Sequence, residues 1–177
     1  QHAKMRKLVL NADDARGRLE DALDAKKVSS ERVTADAARY LPMIGQILLS
    51  CKVQAEMARL DEKLVFEWQS GIEFKPETFK TEAIMYDLVM TIVCEGLGRA
   101  GSATENSVAG NFKEASRDYA AAAGIFQCLA DDHPPKWLSK GSKVNDKNLP
   151  SECHAPMAKA LKELFMANGQ QMAIATV

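Results

Sequence analysis

The residues with the most direct chemical promise are Gly96-Leu97-Gly98-Arg99-Ala100-Gly101, a formal GxGxxG. In a dinucleotide-binding fold such glycines follow a short strand and open a helix whose N-terminal amides hold a pyrophosphate. The run before them, Glu82 to Glu95, is too long for that strand and has helical periodicity, and no second β–α unit appears elsewhere. The glycines therefore read as a helix terminus allowing close helix contact, with Ser102 to Gly110 as helix end and loop. A nucleotide-binding enzyme using Gly96 to Gly101 stands as the rival reading.

Other reactive groups are scattered. The three histidines are His2, His133 and His154. His154 adjoins Cys153, but neighbouring residues point in different directions, which argues against a nucleophile–base pair. The acidic pairs Asp13-Asp14, Asp61-Glu62 and Asp131-Asp132 fall on loops or solvated helix faces, and no spacing brings two of them together for acid–base work. Cys51, Cys94, Cys128 and Cys153 lack the close pairing of zinc ligands and read as reduced, half-buried thiols. The sequence thus predicts no catalytic residue, no metal site and no cofactor. Trp68 and Trp137 read as clamps between loop and core. Lys136, Lys140, Lys143 and Lys147 make one loop mildly basic, diluted by Asp131, Asp132 and Asp146.

The elements that carry these groups are helical. Met5, Leu8, Ala12, Ala15, Leu19 and Ala22 form one stripe at steps of three and four, and Ala37, Tyr40, Ile44, Ile47 and Cys51 form a second. Ser29 or Ser30 is placed to cap the second helix, and Pro42 with Gly45 predicts a kink or a late start. Leu64 to Trp68 is bulky and partly alternating, so a short strand or extended linker is expected there. A third helix is predicted from about Glu77 to Ala100, a fourth on Phe112, Ala115, Tyr119, Ala122, Phe126 and Leu129, and a loop over His133 to Pro150. Ser151 is placed to cap a fifth helix carrying Met157, Leu161, Leu164, Phe165 and Met172. Long helices joined by short loops pack antiparallel, as a bundle or a tetratricopeptide-like stack.

The bulk composition agrees. The 23 basic and 24 acidic side chains nearly cancel, so a nucleic-acid partner is not expected. The longest apolar run, Ile84 to Val93, is broken by Asp87 and is too short to span a bilayer, which predicts a soluble, cytoplasmic chain. Gln1 begins inside a helical pattern and Val177 ends inside another, so a longer protein cut at both ends is expected.

Several segments, in this order, resemble the Bro domain, the boomerang-shaped helical module of Alix, Brox and their relatives. Leu64-Val65-Phe66-Glu67-Trp68 resembles the family's F-x-W stretch, which lies in a small sheet before a long helix. The run from Tyr119 to Leu129, with Ala123-Gly124-Ile125-Phe126, is similar to its A-A-G-x-F-x-x-L helix. Pro134-Pro135-Lys136 is similar to Brox in particular, and Leu41-Pro42 and Leu149-Pro150 to plant Brox-like proteins. Ala167-Asn168-Gly169-Gln170-Gln171 resembles the family's A-Q-A-Q-E run without its glutamate. The resemblance spans roughly Ala37 to Ile174.

The resemblance implies an all-α fold, with residues 1–177 as the N-terminal half of a Bro domain. It also implies a non-catalytic adaptor in endosomal sorting to multivesicular bodies, peripheral at endosomal membranes. Its partner would be the C-terminal amphipathic helix of an ESCRT-III subunit, captured in an apolar groove. That groove would begin near Ala173, where Alix has a bulky aromatic, with Met172 and Ile174 as apolar contacts. The family's protruding loop, whose tip can carry a phenylalanine, would place Phe74 at a contact surface. A generic helical, peptide-binding or structural subunit of a larger assembly is the alternative.

Overall fold

The computed structural model describes residues 2–53, 64–74, 77–132 and 149–176. Among these the elements run α1 (His2–Leu23), α2 (Ser30–Val53), β1 (Phe66–Gln69), β2 (Thr78–Thr81), α3 (Ile84–Val108), α4 (Phe112–Asp131), a 3-10 turn (Ser151–Cys153) and α5 (Ala155–Ala175). The fold is mostly all-α. Asp61-Glu62, His133, Trp137 and the four lysines of the basic loop lie outside the described residues.

The stripes of α1, α2 and α4 turn inward, with Met5, Leu8 and Phe112 half-buried at their ends, whereas Met157 and Leu164 of the fifth series are exposed. Ala12, Ala15, Leu19 and Ala22 pack inward from α1, and Ala37, Tyr40, Ile44, Ile47 and Cys51 from α2. Phe126 and Leu129 of α4 are fully buried, each contributing about 1.5–3 kcal/mol relative to an exposed side chain. Consecutive helices pack in chain order, α1 on α2, α2 on α3, α3 on α4 and α4 on α5. Their contacts run in opposite directions. Gly98 meets Ser30 while Asp87 meets Tyr40, so α2 and α3 are antiparallel. Gly96 meets Phe126 while Thr104 meets Tyr119 at 3.0 Å, so α3 and α4 are too. Ser116 bonds the Gly169 carbonyl at 2.9 Å and Phe126 packs on Phe165, which orients α5 the same way.

Helix ends obey local chemistry. The Ser29 hydroxyl accepts from the Arg32 amide at 3.3 Å and caps α2, whereas Ser30 donates to Glu105 across the helix pair. The helix starts at Ser30 and passes through Pro42, so the late start expected from Pro42 does not occur. The α3–α4 turn ends on Gly110 at φ +80, a conformation glycine adopts without a Cβ penalty.

Three boundaries differ from expectation. The Leu64–Trp68 stretch does contain a strand, but residues 78–81, expected to be helical, form its antiparallel partner, with Phe66 opposite Thr81 and Gln69 opposite Thr78. Helix α3 consequently starts at Ile84, and it runs on to Val108 instead of ending near Ala100. Ser151 does not cap α5: it opens the 3-10 turn, and His154 is the N-cap residue, followed by a proline in the first turn.

The glycines inside α3 explain its persistence. A Cβ on Gly98 would lie 2.5 Å from Thr34 Oγ1 and 3.2 Å from both the Ser30 carbonyl oxygen and the Thr34 amide. Backbone-to-backbone approach at that point requires glycine and outweighs its poor helix propensity. Gly98→Ala is therefore expected to destabilise by about 1–3 kcal/mol through overpacking. Gly17→Ala and Gly124→Ala, where a Cβ meets nothing within 4 Å, are expected to stabilise by about 0.5–1 kcal/mol. Urea titrations of the three variants would show the opposite signs.

Candidate functional site

Two buried carboxylates organise the region around the hairpin. Asp87, in the first turn of α3, has no solvent exposure. It accepts from Trp68 Nε1 at 2.9 Å, Tyr40 OH at 2.5 Å and Arg16 Nε at 3.3 Å. One side chain thus joins α1, α2, β1 and α3. Arg16 also reaches Glu20 and lies over the Phe66 and Trp68 rings, its Cζ 5.8 and 5.7 Å from their centroids. Burial pushes the Asp87 carboxyl up, and the Arg16 charge with the bonds from Tyr40 and Trp68 offsets only part of that rise. Burial works against the Arg16 charge as well, but Asp87 and Glu20 prevail and hold the guanidinium above its ordinary value. The carboxylate is the more deeply enclosed partner, so desolvation decides its behaviour.

The second carboxylate, Glu152 in the 3-10 turn, is fully buried and fixes the loop between the strands. It accepts from Ser70 Oγ at 2.9 Å and from the Gly71 amide at 2.7 Å. Ser70 in turn accepts from the Ile72 and Glu73 amides at 3.3 and 3.2 Å, and Ser151 donates to Glu73. The base of the loop is held at four points. Beyond it, Phe74 is 97% exposed, the most exposed large apolar side chain among the described residues.

Four other titratable groups, Tyr40, Tyr86, Cys94 and Cys153, are buried in the core. Burial pushes the Cys94 thiol up to about 12 and raises Cys153 further, so both are held as thiols. The Tyr40 and Tyr86 hydroxyls are likewise pushed upward, first by burial and then by neighbouring acids including Asp87. Among the described residues no group of three His, Cys, Asp or Glu side chains is arranged to hold a metal ion. No helix of the described residues is long and apolar enough to cross a membrane. Gly96 to Gly101 lie in the interior of α3, with Gly96 against Phe126 and Gly98 and Gly101 against Ser30. Their amides are engaged in the helix and no helix N-terminus follows them, so the expected helix terminus becomes a helix–helix contact.

The residues singled out for partner contact divide. Met172 is half-buried, packs on the core and receives a bond from Ser107 Oγ at 3.1 Å. Ala173 and Ile174 are exposed, Ile174 at 75%. Phe74 lies at the hairpin loop, on a different element from the other three. Neither Asp87 nor Glu152 was legible as a site. The only signal was a lone acidic residue inside an apolar run, as at Asp87. Comparison with known protein families and with curated proteins returns no match for this chain.

Two outcomes follow from the carboxylates. Arg16→Met leaves Asp87 buried without its cation and is expected to destabilise by about 3 kcal/mol at pH 8. The folded-state pKa of Asp87 is already raised, so its stabilising contribution is present at low pH and lost as pH rises through that value. Losing Arg16 raises it further, so the penalty should shrink toward pH 5, measured by urea unfolding at both pH values. Glu152→Ala strands the Ser70 hydroxyl and the Gly71 amide and should cost about 1–3 kcal/mol. Faster hydrogen exchange confined to residues 70–74 would locate that loss at the loop.

Proposed function

We propose that this chain is a Bro-type helical adaptor, without catalytic activity, that binds the C-terminal helix of an ESCRT-III subunit in endosomal sorting. In this reading the protein acts in the cytoplasm, at the surface of endosomal membranes. The support comes from the ordered segments that resemble the family, on a fold that is mostly all-α.

The observation that carries the reading is the second apolar face of α5. Its inner face, Ala158, Phe165 and Gly169, is buried against α4. Met157, Ala160, Leu164, Ala167 and Ile174 recur at steps of three, four, three and seven, and all five are exposed. Only Gln171 interrupts that series. Residues so spaced line one side of a helix, and an amphipathic helix laid alongside would bury its own anchors at the same interval. A surface helix ordinarily turns polar residues to that side. Phe74, on its clamped loop, supplies a further apolar contact at a separate place.

The test is fluorescence polarisation with a labelled ESCRT-III C-terminal helix peptide. Saturable binding in the micromolar range is expected, with Ile174→Asp weaker by about tenfold, the equivalent of about 1.4 kcal/mol. Leu164→Asp should act likewise. Absence of association at high micromolar concentration would remove the adaptor reading. Binding that ignores both substitutions would leave α5 as a structural helix of some other assembly.

A further inference from the structure

Between the hairpin and the helices lies a groove of about 620 Å3, well within the range of about 300–1,000 Å3 typical of binding clefts. Glu67 to Gly71 form one wall as five consecutive residues, while β2 contributes only Thr78. The groove therefore runs along the side of β1 that faces away from β2. Its floor and far wall are apolar, built from Leu23, Val28, Val33, Met90, Val93 and Leu97.

That wall is a strand edge. Among the described residues the sheet has two strands, and β1 is paired on one side only. In an antiparallel ladder alternate residues turn their N–H and C=O groups away from the partner. Among the described residues, none of the backbone groups of 66–69 is bonded on that far side. Such an edge is a template for another strand. Side chains along β1 alternate, with Phe66 and Trp68 buried and Glu67 and Gln69 exposed. A strand added here would send every second side chain toward the apolar floor and the others past Glu67.

Charge selects the occupant. Three carboxylates, Glu20, Asp24 and Glu67, line the groove against one cation, Arg16. Arg16 is already engaged by Asp87 and Glu20, and Lys80 pairs with Glu67 across the hairpin at 2.7 Å, so two cations stand against the four carboxylates Glu20, Asp24, Glu67 and Asp87. The surplus is acidic.

We propose that this groove binds an extended segment of a partner polypeptide in which apolar residues alternate with lysine or arginine, added as a third strand on β1. Four paired residues span about 13 Å at the usual rise, so the recognised segment is about five residues long. The proposal is independent of the α5 face and of any ESCRT-III partner.

The experiment uses the pentapeptide acetyl-Val-Lys-Val-Lys-Val-amide and its glutamate counterpart, acetyl-Val-Glu-Val-Glu-Val-amide, read by calorimetry and hydrogen exchange. The lysine peptide should bind saturably and slow exchange at residues 66–70, and the glutamate peptide should not bind. Asp24→Lys, a surface change outside the hairpin, should weaken binding about five- to tenfold, as an opposite-charge neighbour becomes like-charged. Equal binding of both peptides, no binding, or protection away from 66–70 would overturn the proposal. So would protection, in the free protein, of the 66–69 amides that turn away from β2, because the edge would then be occupied from within.

Discussion

A carboxylate with no solvent contact survives in a protein interior only when its charge and lone pairs are taken up by donors that are themselves held in place. Asp87 meets that condition by drawing one donor from each of three elements: the α1 guanidinium, the α2 phenol and the β1 indole. The arrangement depends on long-range geometry, since Arg16 and Asp87 are separated by 71 positions in sequence. Apolar packing alone tolerates sliding of one helix on another, whereas three groups converging on one carboxylate fix a single register. The hairpin gains most, because a two-stranded ribbon is marginal in isolation. Trp68 anchors it to the helices by its bond to Asp87 and by its buried ring.

Glu152 completes the attachment from the other end of the chain. Trp68 holds the strand, and Glu152 holds the loop after it through Ser70 and Gly71. The polypeptide between α2 and α3 is thus bound to the N-terminal helices and to the turn preceding α5. Residues 70–73 cannot leave this site without stranding buried polar groups. Phe74 follows directly on these held residues, with its ring exposed.

Much of this fold was legible in the sequence because it rests on repetition. The stripes of α1, α2 and α4 are regular, and every residue of the α2 stripe is buried. What escaped had weak or contrary local signals. Residues 78–81, Thr-Phe-Lys-Thr, are too few to show alternation, and they form a strand only because Phe66 to Gln69 supplies a partner. The glycines of α3 signal a helix end by propensity, yet α2 approaches so closely that only glycine fits, and tertiary contact overrides the local preference. Ser151 looks like an N-cap, but its hydroxyl is spent on Glu73, a partner 78 positions away. The buried carboxylates were hidden for the same reason: periodicity marks where a residue sits on a helix, not what converges on it.

The same division separates the two candidate contact surfaces. The outer face of α5 is helix-periodic and was approached through Ala173 and Ile174, although the stripe itself runs through Met157, Leu164 and Ile174. The groove beside β1 has no sequence signature, because its walls come from α1, α2, α3 and the hairpin. It exists because Asp87 and Glu152 hold the hairpin against the helices while, among the described residues, one edge of β1 has no strand beside it. Stabilising the hairpin and exposing a pairing edge are thus consequences of one attachment. A ribbon anchored by side chains on one face and by its terminal loop keeps its backbone edge free, and a free edge beside an apolar floor favours an extended chain over a helix.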